Sequence, residues 1–156
     1  MGKNRPNNWP LHLTYISTIS YNNVKLNKRS TIQGVKIIIL PESHILAGQY
    51  ALVSTKRFLK FDIIGEYTGI VNNECNRYTA YLAMYNNKEL GVDAISGGNE
   101  MRFINDYRNI CDLPNTKLSV TYIDNKPKIL VVVTKDIDEH EEILLDYGEG
   151  YWNEFI

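Results

Sequence analysis

What most constrains this chain is how soon each of its apolar runs is stopped. Val35-Lys36-Ile37-Ile38-Ile39-Leu40 ends at Pro41, Gln49 to Ser54 follows the Ala47-Gly48 break, and Asp62-Ile63-Ile64-Gly65-Glu66-Tyr67 closes at Gly69. Short β-branched and aromatic runs bounded by breakers are strand signals. Further strands are expected at Met101 to Ile104, Lys117 to Ile123 and Lys128 to Thr134, the last two joined as a hairpin by Asp124-Asn125-Lys126-Pro127. A short helix is expected over Glu74 to Met84, because Tyr78, Tyr81, Leu82 and Tyr85 recur at spacings of three and four. Glu141 to Gly148 has an acidic start, an apolar middle and a glycine stop. The pattern predicts a mainly β domain with one or two short helices and irregular connections.

At 156 residues, 44% hydrophobic and 22% charged, the chain fits one folded domain. Residues 1–34, rich in Asn, Ser and Thr and without a strong period, are expected to form an irregular arm or short strands packed on a core that spans 35–152. Residues 153–156 are expected to be a short tail. Lys plus Arg number 17 against 18 Asp plus Glu, and the net charge of -1 argues against a surface that coats nucleic acid or membrane. Two cysteines, Cys75 and Cys111, cannot supply the four thiolates of a structural zinc site, so no metal is expected and a reducing, intracellular compartment is the plainer reading. The N-terminus lacks a long apolar core and reads as neither a secretory signal nor a membrane span.

Function is carried by short motifs in a fixed order: Gly48-Gln49-Tyr50-Ala51-Leu52, Ile64-Gly65-Glu66-Tyr67-Thr68-Gly69, Asp93-Ala94, Gly98-Asn99-Glu100-Met101-Arg102-Phe103-Ile104-Asn105 and Asp146-Tyr147-Gly148. This order resembles the SET-domain protein lysine methyltransferases, over roughly Val35 to Trp152, in a compact form without zinc-binding cysteine clusters before or after the core. The resemblance implies a SET-domain fold of several small sheets, with a C-terminal pseudoknot that brings residues 102–107 and 143–148 together. It also implies a cofactor, S-adenosyl-L-methionine, on one face and a lysine on the other. The substrate would be a basic, lysine-containing protein tail such as that of a histone, and the protein would act in the nucleus if that is so and in the cytoplasm otherwise.

By resemblance, Tyr147 and Tyr67 are the catalytic tyrosines. Gly48, Gln49, Tyr50, Tyr81, Arg102, Phe103, Asn105, Asp106 and Tyr151 are the cofactor residues, and Tyr67, Ala83, Leu145, Tyr147, Tyr151 and Trp152 line the lysine channel. With no cysteine cluster after the core, the tail from Asn153 to Ile156 is the local candidate to complete that channel, with Phe155 as its cover. The chemistry suits these residue types. Methyl transfer from a sulfonium to an amine is an in-line displacement that positioning and a tuned electrostatic environment can drive, and an apolar channel lowers the amine pKa from about 10.4. The chain departs from the family at Tyr50, where a second glycine is usual, at Asp106-Tyr107, where His-Ser is usual, and at Leu145, where Phe or Tyr is usual. Those three departures support an alternative, a non-catalytic SET-fold interaction module.

Plainer readings stand beside these. Tyr15, Tyr21, Tyr85 and Tyr122 are expected to be packing residues among the 11 tyrosines. His12, His44 and His140 are too scattered for a metal site. Asp136 to Glu142 reads equally as a solvated turn or as a lure for a basic peptide. Lys25 to Arg29 is too thin a basic cluster to establish nuclear import.

Overall fold

The computed structural model describes residues 6–20, 32–85 and 88–155. Its strands are β1 (Thr14–Tyr15), β2 (Val35–Ile39), β3 (Tyr50–Ser54), β4 (Ile63–Glu66), β5 (Ile70–Asn72), β6 (Thr79–Tyr85), β7 (Lys88–Asp93), β8 (Gly97–Gly98), β9 (Asn105–Asp106), β10 (Thr116–Ile123), β11 (Lys126–Val133) and β12 (Leu144–Leu145). A 3-10 turn at Glu100–Phe103 precedes β9, and a helix, α1 (Gly148–Phe155), follows β12. The strands form small sheets ordered β2-β3, β10-β11-β4 and β5-β7-β6, with two parallel pairs, β1-β8 and β9-β12. No helix among the described residues is long and apolar enough to cross a membrane.

The β10–β11 hairpin turns on two residues, Asp124 and Asn125, whose φ values of 51° and 60° are the left-handed pair a tight hairpin needs. The turn is thus shorter than the four residues expected. Pro127 lies inside β11 opposite Tyr122, one pair beyond the closing Ile123 and Lys126, where the alternating ladder asks no N–H of it. On the inner face Ile129, Val131 and Val133 are fully buried.

Two expected elements differ. Residues 79–85 form a strand and not a helix: Ala80 and Leu82 are buried while Tyr81 is exposed, a period of two that β7 pairing enforces over the tyrosine spacing. Residues 100–103 form a 3-10 turn and not a strand, because the Asn99 side chain caps it by accepting from the Met101 amide. Tyr122, expected in the core, is 65% exposed because the edge strand β10 outruns the body of the sheet. Tyr21 and Lys25 to Arg29 lie outside the described residues, as do the side chains of Ala83, Tyr85 and Phe155.

Gly69 shows why the Gly65-to-Gly69 motif ends on glycine. A Cβ there would meet the Asp93 carbonyl oxygen at 2.3 Å, where β5 begins beside the end of β7. Residues 6–20 pack on the core. Trp9, Leu13, Tyr15 and Ile16 are buried, β1 runs parallel to β8, and Trp9 sits edge-on to Tyr15 at 5.0 Å and to Phe103 at 5.4 Å. The buried Glu100 carboxylate ties this segment to the centre, accepting from the Tyr15 hydroxyl at 2.8 Å and from the Ile32 amide at 3.0 Å.

The C-terminal segment is held on several sides. β12 pairs with β9 so that Leu144 faces Asn105 and Leu145 faces Asp106. Two residues of parallel ladder are weak alone, and side chains supply the rest. Asn115 donates to the Glu142 carbonyl and accepts from the Leu144 amide, both at 2.8 Å, and the Thr116 hydroxyl donates to the Leu144 carbonyl at 2.7 Å. The Ile143 amide reaches Leu52 in β3.

Candidate active site

Asp146 starts the last helix. Its Oδ1 accepts from the Gly148 amide at 2.8 Å, Gly148 takes a φ of 82° that suits glycine, and Glu149 places a carboxylate at the positive end of α1. Gly148 thus begins the helix and does not merely stop the segment. The helix presents Tyr151 and Trp152 beside Tyr147, with Tyr147 and Tyr151 edge-to-face at 4.8 Å.

Two cavities meet at these rings. The first, of about 480 Å³, is lined by Gln49, Tyr50, Arg102, Phe103, Asn105, Asp106, Arg108, Tyr151 and Trp152 among others. The second, of about 350 Å³, is lined by Tyr67, Tyr81, Leu118, Leu145, Asp146 and Gly150 among others. Arg77, Tyr78, Arg102, Tyr147 and Tyr151 border both. Tyr147 therefore stands in the shared wall.

Its placement is well determined by hydrogen bonds. The Tyr147 hydroxyl donates to the Ile104 carbonyl, and its amide donates to Asp106 Oδ2 at 2.7 Å. Tyr67 is buried and donates to the Tyr78 carbonyl at 2.7 Å. Desolvation pushes the Tyr67 phenol well above its ordinary range, with Arg102 opposing. Desolvation does the same to Tyr147, although part of its residue borders the cavities, and Tyr67, Tyr151 and Asp106 add in the same direction. Both phenols stay protonated near neutrality.

Arg102 lies between rings, 4.5 Å from the centre of Tyr78 and 5.0 Å from that of Phe103, with its Nε donating to the Ala94 carbonyl at 2.9 Å. Asn105 Nδ2 donates to the Tyr50 carbonyl at 3.0 Å and to Glu142 Oε1 at 3.1 Å, and Glu142 meets His44 at 3.1 Å. Asn105 thus ties three segments together while bordering the first cavity. Asp106 is buried and accepts from the Arg108 amide at 2.9 Å and from Arg108 Nη1 at 2.8 Å.

Of the residues expected at the cofactor, Gln49, Tyr50, Arg102, Phe103, Asn105, Asp106 and Tyr151 line the first cavity. Gly48 does not line it, and turns the chain just before Gln49 at a φ of 80°. Tyr50 begins β3 with no left-handed φ, so the missing second glycine imposes no strain. Tyr81 borders the second cavity instead of the first, since it alternates with the buried Leu82. Of the residues expected in the channel, Tyr67, Leu145, Tyr147 and Tyr151 line the second cavity, whereas Trp152 lines the first. Ala83 is in β6. Sequence reasoning missed Tyr78 and Arg108. Arg108 was detectable as the residue two after Asp106, the spacing at which an aspartate accepts a local backbone N–H. The acidic run is partly engaged within the fold, with Asp136 at 3.1 Å from Arg57 and accepting from the Lys60 amide at 2.9 Å.

A chain of small sheets whose C-terminal strand lies beside an asparagine strand, with two cavities sharing a tyrosine wall, has the form of a SET domain. The SET-domain family model matches residues 49–148, and the chain belongs to that family. The fold is that of solved SET-domain structures. A structure of ATXR5 with histone H3.1 mono-methylated on R26 superposes with a TM-score of 0.67 at 13% identity, over 88% of this chain and 82% of that one. A Chaetomium thermophilum polycomb repressive complex 2 structure gives 0.61 at 20% identity, over 76% of this chain and 16% of that one. The same complex in an autoinhibited conformation bound to S-adenosylmethionine gives 0.60 at 21%, over 77% of this chain and 16% of that one. No curated protein sequence matches the chain significantly.

Proposed function

We propose that this SET domain is a protein lysine N-methyltransferase that binds S-adenosyl-L-methionine in the first cavity and receives the lysine of a protein tail, such as a histone tail, through the second. The observation that carries the reading is Tyr147 in the wall between the two cavities. One structural neighbour is bound to S-adenosylmethionine and another is in complex with a histone H3 peptide, which supports the pairing of ligands. If the substrate is a histone, the site of action is the nucleus. The pairing of β12 with β9, and the Asn115 side chain that bonds the Glu142 carbonyl and the Leu144 amide, support a C-terminal pseudoknot.

The first cavity fits the cofactor. Its volume falls in the ~300–1,000 Å³ range of small-molecule sites, its walls carry the Tyr50, Phe103, Tyr151 and Trp152 rings, and the buried Asp106 carboxylate borders it as a counter-charge for a sulfonium. When bound, the cofactor supplies an electrophilic methyl on sulfonium. The protein then has to position an amine opposite that methyl and keep the amine neutral. Tyr67, Tyr147 and Tyr151 enclose the approach, and withdrawal from water lowers the amine pKa. Burial raises the pKa of Tyr67 and Tyr147 and favours their protonated phenols, which serve by position and polarity.

The test is methyl transfer from labelled cofactor to histones and to cell extract. A labelled protein band that Tyr147→Phe abolishes supports the reading. Failure to label any protein, together with no calorimetric binding of the cofactor or its demethylated product, favours a non-catalytic interaction module, the reading that Asp106 and Leu145 motivate.

A further inference from the structure

The first cavity is rich in cations for a site meant to hold another. Arg77, Arg102 and Arg108 all border it, and Asp106 is the carboxylate that borders it among the described residues. Asp106 is 7% exposed and cannot turn away to solvent, because its Oδ2 is fixed by the Tyr147 amide at 2.7 Å and by Arg108 Nη1 at 2.8 Å. The same Nη1 lies 2.9 Å from Asp146 Oδ1, and Asp146 borders the second cavity. Two carboxylates therefore share one guanidinium across the wall that Tyr147 occupies. The guanidinium is itself stacked 5.6 Å from the Trp152 ring centre, which fixes the cluster against α1.

We propose that Asp106 is the residue by which this domain prefers a cationic sulfonium cofactor to its neutral thioether product, with Arg108 setting how much of the Asp106 charge reaches the cavity. The inference rests on the reading of the first cavity as the cofactor site. A charged and a neutral ligand of nearly the same shape differ mainly in their interaction with fixed charges nearby, and a buried carboxylate is screened little by salt. Among the groups around the cavity, Asp106 opposes the repulsion that Arg77 and Arg102 exert on a sulfonium. Such a preference limits product inhibition, since each turnover converts the favoured charge state into the disfavoured one. Arg108 and Asp146 tune the effect in opposite senses, Arg108 by pairing with Asp106 and Asp146 by competing for the same nitrogen.

Calorimetry with S-adenosylmethionine and S-adenosylhomocysteine on the whole chain measures the ratio of the two affinities. Asp106→Asn keeps the shape and an acceptor for the Tyr147 amide but removes the charge, and should lower the ratio by about tenfold, the order expected of one unit charge in a partly desolvated site. Arg108→Gln exposes that charge and should raise the ratio. Opposite shifts in the two variants support the proposal, and an unchanged ratio in both overturns it. Should Asp106→Asn fail to fold, Arg108→Gln decides alone: a ratio that rises supports the proposal and one that stays or falls overturns it. If the unaltered protein binds neither compound, the cofactor reading has failed, a result distinct from equal binding of both across the variants.

Discussion

Removing Trp9 tests whether residues 6–20 are structural parts of the folded core or a dispensable arm. Trp9 is 6% exposed, its ring contacts Tyr15 and Phe103 edge-on, and its indole N–H donates to the Leu13 carbonyl at 2.9 Å. Emptying a buried site of this size costs ~3–5 kcal/mol, and the two ring pairs place Trp9→Ala in the middle of that range, about 4 kcal/mol. Against a domain stability of ~5–15 kcal/mol that is a large share. In a urea titration with a slope of ~2 kcal/mol per molar, the midpoint should fall by about 2 M. Trp9→Phe, which keeps a ring and loses the hydrogen bond, should cost about half as much. Because Phe103 also contacts Tyr50 and borders the first cavity, Trp9→Ala should weaken binding of S-adenosylhomocysteine as well. A midpoint shift under ~0.5 M with unchanged slope would refute the reasoning, since it would mean that the segment contributes little to the folded state.

Asn115→Ala removes both 2.8 Å bonds that hold the segment before Tyr147, and should cost ~2–4 kcal/mol by denaturation while lowering methyl transfer further than stability alone explains. Stability should also fall in alkali. The folded-state pKa values of Tyr67 and Tyr147 both lie above the ordinary 10.0, so their contribution is complete below that pH and is lost as pH rises past it, where the unfolded chain ionises first. Urea midpoints at about pH 8 and pH 10.5 should therefore differ, and Tyr67→Phe should reduce the difference.

Strands were legible wherever a β-branched run carried its own stops, as in Val35 to Leu40 and in the two arms of the β10–β11 hairpin. Residues 74–84 misled because tyrosines at helical spacing coincided with an alternation that only pairing with β7 reveals. The 3-10 turn was hidden by its apolar residues and disclosed by the Asn99 cap. The two-residue strands β1, β8, β9 and β12 have no period to read, and exist because a distant partner lies alongside. At the site, the motifs and their family resemblance located Asn105 and Tyr147 and brought residues 102–107 beside 143–148, as the β9–β12 pairing does, but did not show that Trp152 turns toward the first cavity while Tyr81 turns to the second. Those facts depend on where α1 and β6 are packed.

The most direct test of the account is a crystal structure with S-adenosylhomocysteine soaked in. Density is expected in the cavity bounded by Phe103, Asn105 and Trp152, with the ligand sulfur directed toward the Tyr147 hydroxyl. Density in the cavity beside Tyr81 and Leu118, or none at saturating ligand, would contradict it.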